Sequence, residues 1–389
     1  MQSNTGTISK TVLLFARDPG GENVIESIFP CFQEAFTVVL YGKEVALGRF
    51  LQAGLPAKDI MEQVKEVTVE AMVDFLQGQK IDLVVTGTSA DDMVEKFLWK
   101  AAEICKIPSI AILDQWCNYG IRFSPFGVNT LAQYEKQKTH PYLPTKIAVM
   151  DALAKEKTIE EGIEESRVVV TGQPYFKKIR EKGETCSKEK IAAYQEAHIQ
   201  EKEKLFLFAS EPITETYQDN VTRVGYTEKD AFCLFRNALE EMAEKLQKKA
   251  CVIVRPHPKE SEDKWKSWTK DTPWVRYVLD RKAEVTVAIQ AADVIVGMSS
   301  MLLLESVLMK KTVVSIFPID NGEKNSNYVL EEVGLNRSIR SQEEMRGCLQ
   351  NCLQGKLPVI DWKIGENAQE KLLALAKLCM EQAAEGLSE

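Results

Sequence analysis

The tetrapeptide Arg255-Pro256-His257-Pro258 ends an apolar run that starts at Ala250, and it holds one of only three histidines in the chain. Two prolines fix two φ angles and remove two N–H donors. The imidazole and guanidinium beside them are therefore held rather than left to swing. Two such groups at a strand end suit a phosphate. A second cluster follows another apolar run: Gly297 ends it, and Ser299 and Ser300 open a helix. Free N–H groups, two hydroxyls and the positive end of a helix dipole form an anion site. Glu305 lies further along that apolar helix, where its carboxylate can accept hydrogen bonds from a ribose diol. Ser210 and Glu211 follow a third apolar run, with Glu211 an acid/base candidate.

The N-terminal half has its own cluster. "RDPGGEN" places Gly20 and Gly21 before a helix, where main-chain N–H groups can approach an anion or a sugar. "TGTSADD" follows a buried strand and contains Thr88. Ser89 there is expected to cap the next helix, with Asp91 and Asp92 in its first turn. "LDQWCNYGIRF" brings Asp114, Trp116, Asn118, Tyr119 and Arg122 together just past a strand, a composition typical of a ligand loop. Asp114 is the leading general-base candidate. No Asp-x-Asp stands at a strand end, so no metal site is expected. The nine cysteines form no CxxC pair and are read as reduced thiols.

These groups need elements that deliver them to strand ends. Short β-branched runs alternate with amphipathic stretches throughout: "TVLLFA", "TVVLYG", "IDLVVTGT", "IPSIAILD", "KIAVMD" and "RVVVTGQP" in the first half. After a charged stretch the pattern restarts with "KLFLFAS", "ACVIVRP", "WVRYVL", "DVIVGMS" and "TVVSIF". Strand-helix-strand repetition means a parallel, doubly wound α/β sheet. The expected domains are 1–176, a linker at 177–204, a second domain at 205–365, and a final helix at 366–389 that crosses back to the first. Ligands of such sheets bind beyond the C-terminal ends of the strands.

The chain of 389 residues has a formal net charge of −8. That argues against a general nucleic-acid binder while allowing a local basic pocket. The N-terminus is polar, without an apolar signal core, and no segment has the roughly 18 apolar residues of a membrane span. A cytoplasmic protein is expected. Peripheral membrane contact and a homodimer are compatible with the sequence.

From about Ile81 to Leu353 the sequence resembles the two-domain GT-B fold, two Rossmann-like domains facing a cleft. Its C-terminal half is similar to the nucleotide-binding half of two groups. One is the non-hydrolysing UDP-N-acetylglucosamine 2-epimerases. The other is the glycerophosphotransferases and polysialyltransferases that use CDP- or CMP-activated donors. Both share a His-Pro element, here His257-Pro258, and a Ser-rich helix start, here Ser299-Ser300. Ser299 and Glu305 keep the epimerase spacing between helix start and ribose-binding Glu. The His-Val-Glu-Ala-Gly loop of the epimerases is Ile112-Leu113-Asp114-Gln115-Trp116 here, which keeps only the acid.

The resemblance implies a metal-independent transferase of surface-carbohydrate biosynthesis. It would move a glycosyl or glycerophosphoryl group from a UDP- or CDP/CMP-linked donor to a carbohydrate or lipid-linked acceptor, with no cofactor. Ser210, Glu211, Arg255, His257, Ser299, Ser300 and Glu305 would hold the donor. Gly20, Gly21, Thr88, Trp116, Asn118, Tyr119 and Arg122 would line the acceptor side. Asp114 and His257 would be catalytic. The alternatives are a sugar-nucleotide 2-epimerase or hydrolase, and a non-catalytic nucleotide-sugar-binding protein.

Overall fold

The computed structural model describes residues 10–200, 202–217, 225–318, 329–356, 359–362 and 364–386. The polar N-terminal stretch up to residue 9 and the end of the C-terminal helix pattern at Leu387 lie outside them. The chain divides into two compact units, 1–178 with 363–389, and 179–362.

The first unit is built on seven parallel strands: β1 (Thr11–Ala16), β2 (Thr37–Gly42), β3 (Lys58–Asp59), β4 (Leu83–Thr86), β5 (Ser109–Ile112), β6 (Lys146–Val149) and β7 (Val168–Val170). Their order is β3-β2-β1-β4-β5-β6-β7. Residues Val12 to Ala16 are fully buried, as expected of a parallel strand covered on both faces. Each large apolar side chain contributes about 1.5–3 kcal/mol by leaving water. The C-terminal helix Ala368–Gly386 belongs to this unit. Its Leu372, Leu375, Ala376 and Cys379 complete the core against Val24, Ile28 and Phe32 of the helix Pro19–Ala35.

The second unit carries β8 (Lys204–Ala209), β9 (Ala250–Arg255), β10 (Val275–Leu279), β11 (Val294–Gly297) and β12 (Thr312–Ser315), ordered β10-β9-β8-β11-β12 and all parallel. Segment 177–204, expected as a linker, has helical structure of its own. It contains helix Lys188–His198, and helix Tyr175–Glu184 runs into it. Most of its charged residues are exposed. Tyr194 donates to Asp280 Oδ2 at 2.7 Å, and Gln195 donates to the Ala291 carbonyl at 2.9 Å. These bonds tie the segment to the second unit, which therefore begins at Ile179. All nine cysteines are free thiols. No helix among the described residues is long and apolar enough to cross a membrane.

The strand order reverses between β1 and β4 in the first sheet and between β8 and β11 in the second. At such switch points the connections leave in opposite directions and open a crevice at the strand ends. In the first unit the crevice is crossed closely. A Cβ on Gly87, just past β4, would stand 2.7 Å from the Cα of Gly21 in the first helical turn. Backbone cannot swing away like a side chain, so Gly87→Ala should destabilise by about 1–3 kcal/mol. Gly78, inside helix Val69–Gln79, has open space around its Cα. Gly78→Ala should be neutral or stabilising by about 0.5–1 kcal/mol. Urea unfolding of the two variants checks both.

Candidate functional site

The second unit holds a cavity of about 550 Å³ at the β8/β11 switch point, with Ser210, Glu211, Arg255, His257, Ser300 and Met301 in its lining. Arg255 is the last residue of β9, next to β8. Ser300 is the N-cap of helix Met301–Leu308, yet its hydroxyl caps nothing. Two buried polar atoms here, Arg255 Nη1 and Ser300 Oγ, have no partner among the described residues. A buried polar atom without a partner costs about 1–3 kcal/mol. Two at one cavity, one cationic and one a hydroxyl at a helix N-terminus, fit an anionic oxygen.

His257 is set up as a donor. Its Nδ1 accepts the Lys259 main-chain N–H at 3.1 Å. In the neutral ring the proton must then be on Nε2. Burial lowers its pKa, more than the neighbouring Glu260 charge raises it, which favours that neutral form.

Glu211 accepts hydrogen bonds from the main-chain N–H and the hydroxyl of Ser299, the latter at 2.9 Å. Burial raises its pKa, and the bonds from Ser299 pull the other way. Glu211 thus fixes the turn between β11 and the helix.

Glu305 is not brought to the cavity. It lies five residues beyond the N-cap, or about 7.5 Å along the helix. It is absent from the cavity lining. Burial raises its pKa, opposed by the charge of Lys182.

Sequence reasoning missed the residue that ties these parts together. Glu260 is 3% exposed. Its Oε2 accepts the His257 main-chain N–H at 2.5 Å, and its Oε1 accepts the Ser210 hydroxyl at 3.0 Å and Trp265 Nε1–H at 3.3 Å. Lys264 Nζ stands 2.8 Å from Oε1 and also pairs with Glu215 and Glu228. The oxygens of Glu215, Glu228 and Glu260 lie within 4.8 Å of one another, a spacing that would suit a metal ion. The Lys264 ammonium already meets all three. Burial lowers its pKa, but the three carboxylates outweigh that and hold it above the usual lysine value. In the sequence the only trace of the arrangement is the i,i+4 spacing of Glu260 and Lys264, which reads as an ordinary helical pair.

In the first unit, Asp114 and Arg122 form a buried ion pair. Arg122 Nη1 donates to Asp114 Oδ1 at 2.9 Å, to the Thr88 carbonyl at 2.6 Å and to Thr88 Oγ1 at 2.7 Å. Burial lowers the Arg122 pKa, but the Asp114 carboxylate and Cys117 together outweigh it and the net shift is upward. A Cβ on Gly20 would fall 1.7 Å from Asp114 Oδ2. Gly20 is therefore glycine because the carboxylate packs on it.

Two residues expected on the acceptor side have internal partners. Arg122 is held by Thr88 and Asp114. Trp116 is buried, stacks on Phe176 at 5.6 Å and donates to Asp151 at 2.9 Å. Thr88 is buried with Arg122, and Gly21 meets the end of β4. Asn118, at φ 56°, and Tyr119 are half-buried in the same loop.

Ser89 does not cap the helix that starts at Val94; Asp92 Oδ1 accepts the Val94 N–H instead. The Ser89 N–H donates to Glu95 Oε2. Glu95 is 1% exposed, and its Oε1 has no partner among the described residues. Burial pushes its pKa up to about 8.

No family model and no curated protein matches the chain. Solved structures do. It is similar to a UDP-GlcNAc 2-epimerase from Methanocaldococcus jannaschii, at 16% identity and TM-score 0.63, covering 94% of this chain and 99% of that one. It is similar to MurG from Acinetobacter baumannii, at 11% identity and TM-score 0.54, covering 95% and 99%. It is also similar to HepE from Anabaena, solved with UDP-glucose, at 14% identity and TM-score 0.56, covering 97% and 99%. The chain has the GT-B fold, with two Rossmann-like parallel-sheet units.

The pH dependence of stability follows from Glu95. Its folded pKa is raised, so the stability linked to its proton is complete below about pH 4.5 and is lost as pH rises toward 8. The slope reaches about 1.4 kcal/mol per pH unit. Glu95→Gln keeps an acceptor for the Ser89 N–H and has no proton to lose. Denaturant melts at pH 5, 6.5 and 8 should show the variant gaining on the parent as pH rises. Parallel curves would refute the buried neutral acid.

Proposed function

We propose that the chain is an enzyme acting on a nucleotide-activated sugar or glycerol donor, held in the second unit, and that it transfers the activated group to an acceptor hydroxyl. The observation that carries this is the pair of unpartnered buried atoms, Arg255 Nη1 and Ser300 Oγ, at the switch-point cavity beside His257. Arg255 meets the donor phosphate with a guanidinium. Ser300 adds its hydroxyl at the positive end of its helix. His257 Nε2–H donates to the leaving phosphate oxygen, where charge develops in the transition state. These groups supply the neutralisation that a metal ion gives elsewhere. In the first unit Asp114, oriented by Arg122, takes the acceptor proton. Gly21, Asn118 and Tyr119 are the remaining acceptor-side groups.

A second reading is 2-epimerisation or hydrolysis of the donor. It is favoured by the likeness to UDP-GlcNAc 2-epimerases. Incubation with UDP- and CDP/CMP-linked donors separates the two. Nucleotide release that requires an added carbohydrate acceptor is the expected result. Free or epimerised sugar from donor alone establishes the second reading. Binding without turnover on any donor leaves a nucleotide-sugar-binding protein and refutes both.

Ser300→Ala and His257→Ala test the anion site itself. Removing an unpartnered buried hydroxyl should leave stability unchanged or raise it, so Ser300→Ala should bind nucleotide more weakly without melting earlier. His257→Ala should slow turnover by about 2–4 kcal/mol. Calorimetric titration and initial rates read these out. Parent-like affinity and rate in both would remove the phosphate role.

A further inference from the structure

Glu260 touches the cavity only through other residues, yet it joins both of its walls. One oxygen holds the His257 main-chain N–H, in the loop after β9, and the other holds the Ser210 hydroxyl, at the end of β8. The His257 loop is held from the far side as well. Arg281 Nη2 donates to the His257 carbonyl at 2.6 Å and to the Glu260 carbonyl. The His257 carbonyl also accepts the Glu260 N–H at 2.9 Å. Every main-chain polar group of His257 is thereby fixed, and its Nδ1 is fixed by Lys259. Among the described residues, Nε2 is the one hydrogen-bonding atom of His257 without a partner.

We propose that Glu260 is the positioning residue of this site: its carboxylate sets the direction of the His257 imidazole, and Lys264 keeps that carboxylate in place. The functional half of this rests on the nucleotide reading above. The geometry needs a carboxylate rather than an amide. Both oxygens of Glu260 face donors, His257 N–H on one side and Ser210 Oγ–H, Trp265 Nε1–H and the Lys264 ammonium on the other. Glutamine carries an oxygen and an NH₂. Set toward His257, the NH₂ meets the main-chain N–H; set the other way, it meets Trp265 Nε1–H and the Lys264 ammonium, so either orientation loosens the hold on the carboxamide and weakens the anchor of the His257 loop. Lys264 stabilises the arrangement because a buried carboxylate without a counter-charge is strongly unfavourable.

The test uses the full chain with ¹⁵N-labelled imidazoles. The chain contains only His140, His198 and His257, and His257→Ala assigns the third signal. In the parent, His257 should show an unprotonated, hydrogen-bonded Nδ1. In Glu260→Gln that bond should be lost and Nδ1 should become partly protonated, while His140 and His198 are unchanged. Those two signals report the fold of each unit. Titration with UDP and CDP should show at least tenfold weaker binding by Glu260→Gln. If the amide prevents folding, Glu260→Asp carries the same expectation, because it keeps the charge beside Lys264 but is one methylene shorter. His257 signals that match the parent in a folded Glu260 variant overturn the proposal. The imidazole measurement needs no nucleotide. A parent that binds neither UDP nor CDP therefore counts against the nucleotide reading alone, and unchanged His257 signals count against positioning alone.

Discussion

Parallel strands must all end on the same side of their sheet, and almost everything distinctive in this chain follows from that constraint. Each connection crosses back over a face, so the turns that follow the strands gather along one edge. Where the strand order reverses, two of these turns diverge. The space between them fills either with packed backbone or with polar side chains and whatever ligand satisfies them. The first sheet uses backbone, with Gly21 against Gly87. The second leaves a cavity bounded by Ser210, Arg255 and Ser300. The main-chain groups of such turns have no ladder partner and must find one. Acids answer that need three times: the buried Glu95 for Ser89, the half-buried Glu211 for Ser299 and the buried Glu260 for His257.

This pattern explains which parts were legible in the sequence. The alternation of apolar runs with amphipathic stretches sets the sheet class and nearly every strand. The groups that follow strands directly were also legible, since position after a strand is a one-dimensional property. Arg255, His257 and Ser300 stand at strand ends and line the cavity, as their sequence positions imply. What escaped was the acid that answers each turn from elsewhere. Glu260 reaches Ser210 across fifty positions, and its neighbours Lys259 and Glu262 make it look like one more charge on a solvated face. Glu95 opens a helix, where an acid is ordinary. Trp116 and Arg122 are the opposite case. An aromatic and a cation in a polar loop look like ligand contacts, but burial had already committed both to internal partners.

The two units also differ in how they handle buried charge. In the first, Asp114 and Arg122 neutralise each other beneath the loop that links them, with Thr88 accepting further bonds from the guanidinium. Such a pair contributes little net stability but is costly to break, so it fixes shape more than it strengthens the fold. In the second, a single ammonium serves three carboxylates on separate segments. Lys264 is thus a point where three stretches of chain meet, the role often given to a structural ion.

The C-terminal helix has a consequence for how the protein is made. Leu372, Leu375 and Ala376 belong to the core begun by Val24, Ile28 and Phe32, but the whole second unit is translated in between. At a synthesis rate of about 5–20 residues per second, the interval is on the order of ten to forty seconds. Throughout it the helix Pro19–Ala35 lacks the apolar cover that it will finally have. The second unit is contiguous in sequence and can finish folding as it emerges. The nascent chain therefore completes its later half before its earlier one.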